Sequence, residues 1–301
     1  MKKWVKVLLG IGIGATLLGA TLAAYGFATG GVSDLTNAKK ISTKVNYKKM
    51  TLDTFKNITL DSDVSDVIIT KADIDKPFIS YSTETKSPLT HEIKDGTLKV
   101  SQKSSQFPKS RTVINFFDLS DLIGFTQNGQ ITTPHTILIS VPQDTNLNSV
   151  KTNLKAGSLS LSDINIADAN FEISAGDLDI ENTTINSGHA NISAGSSSFD
   201  KSSLTKFSLT ANAGEVDFEN STADQSNFKL NMGDFSANDM TFKGTNTLNI
   251  AAGDTDITLA SKNLKVKLDN NLGDADITDQ LNQSSPNTLT IKSSMGDISI
   301  Q

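Results

Sequence analysis

The residues best placed to do chemistry are two rows of carboxylates that follow a recurring glycine. One residue after each glycine stand Ser158, Asp177, Ser196, Glu215, Asp234, Asp254, Asp274 and Asp297. Three residues after it stand Ser160, Asp179, Ser198, Asp217, Ser236, Asp256, Asp276 and Ser299. If the phrases stack, like charges on successive repeats approach to about 5 Å and repel by roughly 1 kcal/mol in water. Three readings of these rows are open. The first is turn chemistry and solubility, since Asp after Gly suits a corner. The second is binding of a cationic peptide or basic surface polymer along Glu215, Asp234, Asp254, Asp274 and Asp297. The third is a calcium site offering the oxygens of Asp254, Asp256, Asp274 and Asp276.

These acids are positioned by a repeat. The glycines are Gly157, Gly176, Gly195, Gly214, Gly233, Gly253, Gly273 and Gly296, spaced by 19, 19, 19, 19, 20, 20 and 23 residues. A fixed period near 20 residues is the signature of a solenoid. Apolar residues fall at offsets −5, −3 and −1 from the glycine, and at +2 and +4 after it. Period two on both sides predicts strands, with an inner face that slips one residue at the glycine. A further apolar position at +9 (Ile166, Ile185, Leu204, Ala223, Phe242) predicts a third wall. The expected fold is all-β: a parallel β-solenoid of about eight rungs over residues 151–301, wound right-handedly by the general crossover rule.

The rest of the chain reads as accessory to that rod. Lys2, Lys3 and Lys6 precede an uncharged run over residues 7–28, long enough for one membrane-spanning helix within an anchor at 1–30. A cleaved signal peptide is the competing reading of the same run. The expectation is an anchor, with the N-terminus cytoplasmic and the main domain outside the cell. Residues 31–49 read as a basic stalk, and 50–150 as an irregular start to the rod, interrupted by an insertion at 104–134. Within that insertion Phe116, Phe117, Leu122, Ile123 and Phe125 form an apolar cluster. It is either a cap over the solenoid end or a contact for the membrane or a membrane-protein partner. A second insertion, 279–287, is expected to fold over the far end, because a bare final strand invites edge pairing.

Several function classes are disfavoured. The chain has no Cys, which removes thiol chemistry and Cys-based metal sites, and its three His are scattered. A net charge of −6 argues against a nucleic-acid partner. No cofactor motif and no nucleophile signature is present. A polysaccharide-acting β-helix enzyme is a remote alternative, since its clefts normally combine acids with Arg or aromatic platforms and the repeats contain no Arg, Trp or Tyr.

An anchor, then irregular strands, then Ile137, Ile139, Val141 and Pro142 leading into the eight glycine phrases: this order resembles the bacterial putative-adhesin family of β-strand repeat proteins, formerly a domain of unknown function. The resemblance spans roughly 50–301. It implies a non-catalytic, membrane-anchored envelope protein with a binding or stress-sensing role, or else a structural partner of another membrane protein. It supplies no catalytic residues.

Overall fold

The computed structural model describes residues 46–83, 88–103 and 135–301, all of them strands, turns and connections without a helix. The expected anchor, most of the stalk, and the cluster Phe116, Phe117, Leu122, Ile123 and Phe125 lie outside the described residues. Tyr47–Thr51, partly within the expected stalk, is a strand.

Each glycine phrase forms one rung. A strand before the glycine pairs in parallel with its equivalents on neighbouring rungs, and a strand after it does the same on a second wall. Residues at +9 form the third wall, where Ile166, Ile185, Leu204, Ala223 and Phe242 stack in register. Inward positions −5, −3, +2 and +4 are mostly apolar because they face the interior of the rod, with Thr152, Ser197, Thr255 and Ser293 as buried polar exceptions. Phe171, Ile173, Leu178 and Ile180 are all buried. The centre of the rod is aromatic, with Phe199 and Phe218 stacked at 4.5 Å and Phe228 and Phe235 packed against them.

The corner explains the glycine. Each glycine Cα lies over the carbonyl oxygen of the corner residue one rung away. A Cβ on Gly176, Gly195, Gly214, Gly233 or Gly253 would sit 1.9–2.1 Å from that oxygen, where no carbon fits. The column also holds φ between +115° and +147°, a region L side chains avoid. The position −1, expected to point inward, is the correction to the strand pattern: Met232, Leu272 and Met295 are among the most exposed large apolar residues. The chain is already turning there, so −1 lies on the outer ridge of the corner.

The stacking order departs from the order in sequence at both ends. Gly296 sits over Gly253, and Gly273 over Gly296. The last strands, Thr288–Ser293 and Ile298–Ile300, therefore run between the rung of 245–259 and the rung of 265–277. At the other end Asn57–Ser62 and Asp66–Ala72 form a rung inserted between 147–162 and the outermost parallel rung, made of Thr97–Gln102 and Thr136–Pro142. Ser65 takes the glycine's place in the column. Its φ is not positive, and its hydroxyl donates to the Gln102 side chain at the end of the outermost parallel rung. Antiparallel strands finish that end: Leu89–Lys94 pairs with Thr97–Gln102, Phe78–Ser82 with Thr136–Pro142, and Tyr47–Thr51 with Phe78–Ser82. The 279–287 insertion does not fold over the far end. It runs along the third wall, with Leu281 buried and Asn282 and Ser285 bonded to Lys262 and Asn263.

A contrast between two glycines tests the corner. Gly214→Ala is expected to cost about 3 kcal/mol or more in denaturant unfolding, because backbone of the adjacent rung must move. Gly96→Ala, at φ +69° with nothing within 4 Å of the added Cβ, is expected to cost about 1–2 kcal/mol from backbone conformation alone. Equal losses at the two sites would remove the stacking explanation.

Candidate functional site

The acid rows lie along the outer edge of the glycine corner, and the corner gives the first row a structural task. Gly N–H groups and +2 N–H groups bond to one neighbouring rung, as in Gly157 to the Ala175 carbonyl at 2.9 Å and Leu159 to the Asp177 carbonyl at 2.9 Å. The +1 N–H faces the opposite way, toward the +1 side chain of the rung before. That side chain accepts it: Asp66 Oδ1 from Ser158 N–H at 3.1 Å, Asp177 from Ser196 at 2.7 Å, and Asp234 from Asp254 at 2.8 Å. Asp254 accepts from Asp297 and Asp297 from Asp274, each at 2.8 Å. A carboxylate holding a backbone N–H is a charge-assisted bond, and the partial positive charge of each amide offsets crowding of like charges.

The +3 row is organised by the threading. Read along the rod it runs Ser160, Asp179, Ser198, Asp217, Ser236, Asp256, Ser299, Asp276. Acid and hydroxyl alternate without a break. In sequence order Asp256 and Asp276 would be neighbours, and insertion of the final rung places Ser299 between them. Asp254, Asp256, Asp274 and Asp276 are consequently not on adjacent rungs, which corrects the geometry assumed for a calcium site. Among the described residues no group of three or more His, Asp or Glu is placed to hold a metal ion. The four residues, with Asp297 and Ser299, line an open depression of about 280 Å³ at the far end. Of the ligand candidates, Asp234, Asp254, Asp274 and Asp297 stand on consecutive rungs, and Glu215 is exposed on the rung before Asp234.

Burial marks two of the +3 acids, Asp179 and Asp217, electrostatically. Desolvation, then the charge of Asp177 beside it, pushes Asp179 up to about 6. Asp217 is raised in the same way, by burial and then by Glu215. Burial also raises Asp66, against its bond from Ser158.

Two further columns were missed by the sequence reading. At +6, Asp163, Asn182, Lys201, Asn220 and Asp239 adopt φ of +46° to +59°, forming a second corner. Asn and Asp at four of the five places were the available signal. At +7, the hydroxyls of Thr183, Ser202 and Ser221 turn inward and accept the +7 N–H of the adjacent rung. A second cavity, about 600 Å³, lies at the capped end between Lys56, Asp75, Pro77, Gly96 and Asp144.

The fold is a three-walled, mostly parallel β-solenoid closed by antiparallel strands at one end. The chain belongs to the Toastrack DUF4097 family, whose model matches residues 55–301. This agrees with the resemblance read from the glycine phrases. Among solved structures it is similar to a putative adhesin from Parabacteroides distasonis, at 12% identity over 86% of this chain and 97% of that one, with a TM-score of 0.47. A putative adhesin from Bacteroides fragilis is 15% identical over 86% and 98% of the two chains, with a TM-score of 0.40. A putative lipid binding protein from Parabacteroides distasonis is 15% identical over 85% and 97%, with a TM-score of 0.35. A comparison with curated proteins found no match.

Two substitutions separate the tasks of the acid rows. Asp234→Asn keeps an oxygen for the Asp254 N–H and is expected to change stability little, whereas Asp234→Ala is expected to cost about 1 kcal/mol. For Asp179 the folded chain holds its proton more tightly than the unfolded chain does. Stability then falls as pH rises from about 4 to about 6. Asp179→Asn is expected to add about 1–2 kcal/mol at pH 7, after allowance for its partial exposure, and nothing below pH 4, in denaturation series across that range.

Proposed function

We propose that this chain is a non-catalytic surface protein of the cell envelope, anchored by residues 7–28 with its N-terminus in the cytoplasm and its rod outside. In this reading the rod is an adhesin or an envelope-sensing module that works by contact. The observation that carries the proposal is the use made of the most recurrent polar groups. The +1 carboxylates of Asp177, Asp234, Asp254 and Asp297 are each committed to a backbone N–H of the next rung, and the +7 hydroxyls of Ser202 and Ser221 are committed inward. What the repeat builds is therefore a stiff surface, and its outward chemistry is a shallow ridge of Asp, Ser, Asn and Lys. The uncharged run at 7–28, preceded by three lysines, supports the anchored orientation. The resemblance to envelope proteins points the same way.

Fractionation with protease treatment of intact cells tests this. The full chain is expected to sediment with membranes, and external protease is expected to release a rod-sized fragment by cutting the connection before Tyr47. A chain found in the soluble fraction, or protected until cells are lysed, would overturn the proposal.

A further inference from the structure

The two ends of the rod are finished differently. The end where the chain enters is covered by antiparallel strands, whereas at the far end Lys265–Asn270 and Ala275–Ile277 each pair with a described strand on one side only. Residues 271–276 are all exposed, and Val266 and Leu268 are only half-buried where their counterparts Leu289 and Ile291 are fully buried. We propose that this edge is a docking surface for a second copy of the chain, formed by antiparallel pairing of Lys265–Asn270 with itself about a two-fold axis at Leu268.

The register follows from the hydrogen bonds already made. Lys265 N–H bonds to the Asn287 carbonyl and Asn271 N–H to the Ser293 carbonyl, so the odd-numbered residues of this strand face the penultimate rung. The N–H and C=O groups of Val266, Leu268 and Asn270 therefore point off the open edge. In an antiparallel pair, residues that exchange both bonds alternate with residues that exchange none. Placing Leu268 opposite Leu268 of the copy uses all three outward-pointing residues, since Val266 then meets Asn270. It also sets Lys267 opposite Asp269 twice, at the non-bonded places where side chains come closest. The other centres that use the same groups do worse. Centring on Val266 opposes Lys265 to Lys267, centring on Lys267 or on Asp269 sets two like charges face to face, and centring on Asn270 overlaps only the end of the strand.

The axis also resolves the charge at this end. A two-fold perpendicular to this wall lays the wall bearing Asp274 and Asp276 over the partner's third wall, so the acid columns of two copies do not meet. The paired rods are coaxial, with their Tyr47 ends farthest apart.

Sedimentation of the full chain in detergent, with charge exchange across the proposed pair, tests the inference. Both side chains are exposed, so the substitutions leave the core alone. The unaltered chain is expected to form a concentration-dependent dimer. Lys267→Asp alone and Asp269→Lys alone each replace two attractive pairs by two repulsive ones and are expected to weaken association at least tenfold. The double variant restores opposite charges and is expected to return to within threefold of the original. A monomer at all concentrations overturns the proposal. So does a dimer indifferent to all three variants, which would mean association through another surface, such as residues 7–28.

Discussion

Everything in this rod depends on one contact: the Cα of a corner glycine lying against the carbonyl oxygen of the corner one rung away. With a Cβ at a glycine of this column the rungs could not close to sheet spacing. The same geometry turns the following N–H toward the preceding rung, away from the regular ladder. A buried or half-buried N–H needs an acceptor, and a short acidic side chain at +1 reaches it. Glycine and aspartate are thus one structural device. The acidity of the rod's edge is a consequence of how its corner closes.

Threading at the two ends follows from a weakness common to all stacked folds. The outermost rung has neighbours on one side only, so strands placed there fray first. Here the last strand pair is held between two rungs, and the first parallel rung is held likewise. The alternation of Asp and Ser at +3 is unbroken only in this spatial order. Ser299 separates Asp256 from Asp276, so holding the last strand pair between two rungs also keeps these carboxylates off adjacent rungs. That spacing limits repulsion between like charges along the row; at Asp179, where burial adds to the charge of Asp177, the carboxyl is already pushed up to about 6.

The parts legible in the sequence were those set by period. Strands, the parallel stack, the third wall at +9 and the inward residues at −5, −3, +2 and +4 all follow from spacing, because each rung repeats the same burial. The exposed −1 row was misread because alternation was carried one residue too far into the corner, where the chain is no longer a strand. The rung order could not be read from glycine spacing, since a spacing of 23 fits either the next slot or a return to the one below. It was legible elsewhere: the Ser–Asp alternation breaks in sequence order and is repaired by exchanging the last two rungs. Ser65 hid the first rung, because the corner there carries no glycine. The second corner was signalled by Asn182, Asn220, Asp163 and Asp239, residues that tolerate positive φ through local hydrogen bonding.

The contrast between the ends has a physical origin in strand direction. A parallel stack cannot terminate itself, because every rung presents to the next the same donors and acceptors that it received. Closing it requires strands that run the other way. At the entry end the Asp95–Gly96 turn, with φ of +50° and +69°, reverses the chain and lays Leu89–Lys94 back on Thr97–Gln102. Phe78–Ser82 and Tyr47–Thr51 extend the reversal over the neighbouring wall, with the Lys49 ammonium 3.9 Å above the Phe78 ring. No such reversal occurs after Ala275–Ile277. The chain descends along the third wall to fill the slot below, and the segment that could have supplied a cap supplies the penultimate rung. Filling the slot below and covering the edge compete for the same residues, and in this chain the slot is filled.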